Sequence, residues 1–320
     1  MITTETVEKN LIDKYFRHIH KLRLQLTDSC NFRCFYCMPA NVKFMDKANL
    51  LSSAEIFRIC SVLNDFGIDE IRLTGGEPTI REEFKEIVLK LSELKLKKLG
   101  LTTNGYLLGK KLGFLKETAC QYINISLDSL QEDKFNQITN SNKFKEVYSA
   151  ILKARELGFK TRINTVMLKG INDNEINNFI EFSAKNDIEV IFIELMKIGQ
   201  ANQYNQDLFM SAGAAIQKIK ETERLLPIGV NKDSTSFKYK TASGGKIGFI
   251  ASESRPFCHS CSRIRLSATG KLRACIMSEA GINLKGLNPD DYDKVLRRVI
   301  EMKPYERIEF INQPMYEIGG

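Results

Sequence analysis

CNFRCFYCMP, residues 30–39, places three cysteines within eight residues, with aromatic side chains between them and Met-Pro directly after. The stretch follows LRLQL (22–26), a strand pattern, and precedes a helical pattern over 53–66. That order then repeats. Strand patterns recur at 70–75, 96–104, 122–128, 160–167 and 189–196, and helical ones at 82–94, after Gly105, at 142–157 and from about Asp173. Six strand–helix units predict parallel strands joined by helical crossovers. Gly76, Asn104 and Asp128 close three of the strands, where the site of a (βα) barrel lies. Six units would make an incomplete TIM-like barrel with an open side; a doubly wound open sheet fits the alternation nearly as well. After about residue 225 the rhythm breaks. TASGGK (241–246), the short strands KIGFI and RIRLS, and a helix near 290–302 follow. Two domains are expected, 1–225 and a smaller α+β extension, 226–320.

The bulk composition narrows the chemistry. The apolar fraction of 43% is ordinary for a globular chain. No apolar run reaches the ~18 residues of a membrane span, and MITTETVEKNLIDKYFRHIHKLR lacks the apolar core of a signal peptide. The chain reads as cytoplasmic, where eight cysteines point to metal ligands or reactive groups rather than disulfides. A net charge of +8 fits a lysine-rich surface or a polyanionic ligand. No helix-turn-helix or RNA-binding signature supports nucleic acid.

Cys30, Cys34 and Cys37 admit three readings. They are buried small hydrophobes, or zinc ligands that need a fourth partner such as Cys60, His18 or His20, or ligands of an iron–sulfur cluster. A four-iron cube held by three thiolates keeps one iron open to a small molecule. Cys258, Cys261 and Cys275 repeat the theme, with a hairpin at Thr269-Gly270 returning the chain so that Cys275 meets the first pair. His259 makes zinc a rival there. Cys60 and Cys120 fall in core patterns.

CNFRCFYC resembles the CxxxCxxC motif of the radical S-adenosylmethionine (SAM) enzymes, and Gly75-Gly76-Glu77-Pro78 after the second strand strengthens the match. FCHSCSRIRLSATGKLRAC and the terminal Gly319-Gly320 narrow it to the GTP 3′,8-cyclase family of molybdenum cofactor biosynthesis, over nearly the whole chain. The resemblance implies a lyase with two [4Fe-4S] clusters, on Cys30/Cys34/Cys37 and Cys258/Cys261/Cys275, with SAM chelated at the open iron of the first. In that family, reductive cleavage of SAM gives a 5′-deoxyadenosyl radical that takes the ribose 3′ hydrogen of GTP. The carbon radical attacks C8, and the product is (8S)-3′,8-cyclo-7,8-dihydroguanosine 5′-triphosphate.

The same resemblance implies that Tyr36, Gly76, Ser126 and Met196 line the SAM pocket. It assigns Arg23, Arg72, Thr102, Arg162, Arg263, Ile264 and Arg265 to GTP, and lets Gly319-Gly320 fold into the site. Arg263 and Arg265 stand at strand spacing and so share a face. The family also implies an electron donor that the sequence does not identify, and transfer of product to cyclic pyranopterin monophosphate synthase. It leaves a homodimer open. Three positions depart from the family pattern: Arg162 replaces a lysine, Glu70 a basic residue, and Ile191 an arginine before Phe-Ile-Glu. The last removes a cation near the cofactor, so another residue replaces it or activity changes. A peptide-modifying radical SAM maturase and a zinc-dependent nucleic-acid binder are the alternative readings.

Overall fold

The computed structural model describes residues 10–39 and 41–319; Gly320, half of the expected tail, lies outside them. The first half alternates β1 (Lys21–Gln25), α1 (Ser53–Asp65), β2 (Glu70–Thr74), α2 (Phe84–Ser92), β3 (Lys98–Thr103), α3 (Leu108–Lys116) and β4 (Cys120–Ser126). Two helices, α4 (Glu132–Thr139) and α5 (Phe144–Glu156), precede β5 (Lys160–Met167), α6 (Ile176–Asn186) and β6 (Glu189–Glu194). Then come α7 (Asn205–Leu208), α8 (Ala212–Lys220), β7 (Leu225–Ile228), β8 (Phe237–Thr241), β9 (Lys246–Ile250), β10 (Arg263–Leu266), β11 (Lys271–Arg273), β12 (Ile282–Asn283), α9 (Tyr292–Glu301) and α10 (Met315–Ile318). No helix among the described residues is long and apolar enough to cross a membrane.

β1 to β6 are parallel neighbours in chain order. Their alternation explains the layering. In β5, Ile163, Thr165 and Met167 are buried on the face towards the helices, whereas Arg162, Asn164 and Val166 line a cavity on the other face. Leu22, Leu24, Leu73, Leu101, Ile123 and Ile125 repeat the helix-facing pattern. α1 answers with Ile56, Ile59, Cys60 and Leu63, one stripe at helical spacing. A capping box fixes its start: Ser52 Oγ accepts from the Glu55 N–H, and the Glu55 carboxylate accepts from the Ser52 N–H.

Arg23 on β1 and Arg162 on β5 line the same cavity although three strands separate them. A flat sheet would hold them about 19 Å apart at ~4.8 Å per strand, so the sheet curls into an incomplete barrel. A packed barrel fills its interior with aliphatic side chains. Here arginines, asparagines and hydroxyls stand inside, and the interior is built to hold a polar guest.

The boundary expected near 225 falls where β7 begins, yet the sheet does not break there. β9 joins β6 in parallel, β10 joins β1 in parallel, and all the strands form one sheet in the order β12-β11-β10-β1-β2-β3-β4-β5-β6-β9-β8-β7. The later strands therefore flank the open side of the barrel instead of forming a separate layer. The hairpin expected at Thr269-Gly270 joins β10 to β11, with Gly270 at φ 94°. Cys60 and Cys120 are fully buried in the core.

Candidate radical SAM and nucleotide site

A cavity of about 400 Å³ opens at the C-terminal ends of the parallel strands, and all six triplet cysteines line it. The first triplet sits on the loop after β1. Cys37 and Met38 donate backbone N–H groups to the Cys34 carbonyl at 2.9 and 3.0 Å, closing one tight turn. Phe32 anchors the loop; it is 3% exposed and meets Phe135 of α4 edge-on at 5.9 Å. Arg33 and Phe35 donate backbone bonds to the carbonyls of Thr139 and Ile138 at the end of α4. Burial pushes the Cys30 thiol up to about 11 and the Cys37 thiol to about 12, with neighbouring acidic groups and thiols adding to it. A bound metal would take the place of those protons.

The second triplet follows β9 and flanks the β10–β11 hairpin. Burial opposes ionisation of Cys261, yet Arg263 and Lys303 beside it bring its thiol down to about 6. The Arg263 Nη2 lies 3.3 Å from that sulfur. Among the described residues no three His, Cys, Asp or Glu side chains converge tightly enough to hold a single ion. Each triplet instead borders one cavity with free thiols, a donor set that fits a polynuclear iron–sulfur cluster with an open corner better than a zinc tetrahedron.

Tyr36, Gly76, Ser126 and Met196 all line the cavity, Met196 within the apolar cluster that includes Cys275 of the second triplet. The Tyr36 hydroxyl donates to Asp128 Oδ2 at 2.6 Å, and Asp128 Oδ1 accepts from the Val166 N–H at 2.8 Å. Burial raises the Asp128 carboxyl to about 6 despite these bonds. Asn104 Nδ2 approaches the Cys30 sulfur at 3.8 Å. A Cβ on Gly76 would lie 2.3 Å from the Asp28 and Ser29 carbonyl oxygens. Glycine is thus required by the β1 loop packed against it, as well as by any ligand. Met196 stands two residues beyond β6, which ends at Glu194 rather than extending to 196.

Towards the second triplet, Arg23, Arg72, Thr102, Arg162, Arg263 and Arg265 line the same cavity. Burial, then the charges of Arg72, Arg263, Arg265 and Arg162, pull the Arg23 guanidinium well below its ordinary value. Burial brings Arg72 and Arg265 down to about 10. Arg162 meets Glu189 at 3.7 Å and leaves its buried Nε without a partner. Asn164 Oδ1 and Ser252 Oγ, also on the cavity wall, are buried and unpartnered. These orphaned groups want a polar ligand.

Ile264 does not belong with them. It is fully buried in the hydrophobic core, because the residue between two inward-facing arginines on a strand points to the opposite face. Gly319 does reach the site: its carbonyl accepts from Arg265 Nη1, while Gln25 Nε2 donates to the Tyr316 carbonyl at 2.6 Å.

Ile191 is fully buried and pairs in register with Gly248 of β9. Lys238 of β8 pairs with Gly248 from the other side, and its ammonium reaches Glu189 at 2.7 Å. Lys238 thus sits beside Ile191 over the bare backbone of Gly248, paired with Glu189, and is not among the residues that line the cavity. Glu70 faces Lys21 at 3.8 Å. Sequence reasoning also passed over Glu77, which is fully buried. Its carboxylate accepts from the Thr79 N–H, the Thr103 hydroxyl and the Asn104 N–H, locking the ends of β2 and β3 together.

Comparison with known proteins agrees with this geometry. Residues 24–183 match the radical SAM superfamily model and residues 188–309 the model described as Molybdenum Cofactor Synthesis C. A GTP 3′,8-cyclase of Synechocystis sp. is 43% identical over 98% of this chain and 96% of its own length. One from Aquifex aeolicus is 36% identical over 97% and 100%. Among solved structures, Streptococcus suis SuiB bound to S-adenosylmethionine covers 90% of this chain and 69% of its own, with a TM-score of 0.63 at 16% identity, a likeness of fold. The chain belongs to the GTP 3′,8-cyclase family of the radical SAM superfamily.

Proposed function

We propose that this chain converts GTP to (8S)-3′,8-cyclo-7,8-dihydroguanosine 5′-triphosphate, the first step of molybdenum cofactor biosynthesis. The observation that carries the reading is the arginine cluster. Six guanidinium groups line the cavity that both cysteine triplets border; Arg162 meets Glu189 and Arg307 meets Glu253, while among the described residues no ion pair forms at Arg23, Arg72, Arg263 or Arg265. Such unbalanced charge is stable only opposite a polyanion, and planar guanidinium forks match phosphate oxygens. When bound, the first cluster and SAM supply the one-electron cleavage that generates the hydrogen-abstracting radical.

The chain's own residues do the rest. Tyr36, held by Asp128, and the Gly76 backbone wall the SAM side. Arg23, Arg72, Arg162, Arg263 and Arg265 hold the triphosphate so that the ribose faces that side. Cys258, Cys261 and Cys275 would hold the second cluster, which would supply an open iron for the guanine. Fixed placement matters because an unconstrained radical reacts elsewhere. An electron donor of unidentified nature serves the first cluster, and the product goes on to cyclic pyranopterin monophosphate synthase.

The test is strictly anaerobic incubation of the reconstituted chain with SAM, reductant and GTP. 5′-Deoxyadenosine is expected to form only when GTP is present. Formation independent of GTP, or dependent on a peptide, removes the substrate assignment. Metal analysis separates the zinc reading: ~8 irons per chain supports two four-iron clusters, and zinc in their place overturns them.

A further inference from the structure

Lys303 lies just beyond α9 and is 2% exposed. Its ammonium donates to the carbonyls of Arg263 and of Ala274, the latter at 2.8 Å, and its charge acts on the Cys261 thiol. Its charge also acts on Cys258 and Cys275. Among the described residues no carboxylate pairs with it. The placement is enforced from behind. Arg17, paired with Asp13, donates to the carbonyls of Cys258 at 2.6 Å, Pro304 at 2.9 Å and Lys303 at 3.3 Å. The backbone carrying the lysine and the loop carrying a cluster ligand are thus tied to one guanidinium.

A buried ammonium with only carbonyl partners is costly, and it persists where an anion balances it. Among the described residues no carboxylate supplies that anion, and the three cysteine sulfurs beside the lysine supply it in full once they hold a cluster. A four-iron cube on three thiolates carries net negative charge, which grows by one on reduction. We propose that Lys303 is the fixed counter-ion of the second cluster, a positioning residue that favours its binding and its reduced state. The inference rests on the two-cluster reading given above. Arg263 and Arg307 also stand near these sulfurs, but Arg263 faces the substrate cavity and Arg307 is paired with Glu253. Lys303 alone among the three is turned wholly away from solvent and from other acids.

The test uses the full chain with Cys30→Ala, Cys34→Ala and Cys37→Ala, so that only the second cluster loads. Iron and sulfide near four per chain are expected. In that background Lys303→Met moves the midpoint potential of the remaining cluster to more negative values, followed by visible absorbance, and Lys303→Arg restores it. An unmoved midpoint in Lys303→Met overturns the proposal while leaving the cluster reading intact; absence of iron from the background variant removes both.

Where Lys303→Met takes up no iron, loading of Lys303→Arg supports the charge requirement, and failure of both overturns it. Thermal unfolding gives a second readout. Lys303→Met is expected to lose more stability relative to its parent in the loaded state than without metal. An equal loss in both states marks the lysine as a tether between two carbonyls and overturns the proposal.

Discussion

Asp128 carries a carboxyl that burial raises to about 6, against about 3.9 in an unfolded chain. Between these values the folded state holds a proton that the unfolded chain has released. Stability therefore falls as pH rises through that window and levels off above it, at a cost of about 3 kcal/mol. Asp128→Asn keeps an acceptor and a donor for Val166 and Tyr36. The metal-free variant is expected to match wild type near pH 4 and to unfold at a higher temperature by pH 7. A gap that is constant with pH would refute the account. Glu189 sits between two cations, Lys238 at 2.7 Å and Arg162 at 3.7 Å. Lys238→Met frees that carboxylate to draw Arg162 away from the triphosphate. The KM for GTP should rise roughly fivefold, about 1 kcal/mol, with SAM binding unmoved; an unchanged KM would show that the two pairs are independent. The arginines were legible in the sequence because charge on a strand is unusual and period two assigns a face. The same rule, applied to Arg263 and Arg265, should have excluded Ile264. Lys238 was illegible, since its partnership depends on the β8–β9 register and on the bare backbone of Gly248.

The helix α4 shows how an element acts at a distance. Its end receives the cysteine loop through two backbone bonds, and Phe135 receives Phe32. Phe32→Ala opens a cavity worth ~3–5 kcal/mol at that contact. Its expected signature is selective: iron per chain falls from ~8 towards ~4, while absorbance from the second cluster persists. Equal loss at both sites would mean that the contact supports the whole fold instead. Sequence periodicity found the long helix at 144–156 but not α4, which has only eight residues and three buried positions. Short helices leave too few turns for a stripe to show. The strands were easier, because the outer face of each is aliphatic and bounded by glycine or polar residues.

In the molecule as a whole, the two edges of the six-strand barrel are closed by strands from the last third of the chain, β10 against β1 and β9 against β6. A fragment of residues 1–225 would expose both edges and strip the cover from Leu22, Leu24 and Phe192. It is expected to be insoluble or to lack a cooperative thermal transition, whereas a soluble, cooperative fragment would support the boundary expected where the strand–helix rhythm breaks. The sequence showed six units because each carries its own pattern. It hid the flanking strands because parallel pairing between distant segments leaves no local mark. This topology also sets a timetable for synthesis. Arg23 meets Arg265, about 240 residues later in the chain. At ~5–20 residues per second a ribosome needs roughly 10–50 s to deliver that partner. Throughout that interval the first strand leaves the exit tunnel with one side unpaired, an invitation to chance association. Until its closing strands arrive, that edge is the part of the nascent chain most open to mispairing.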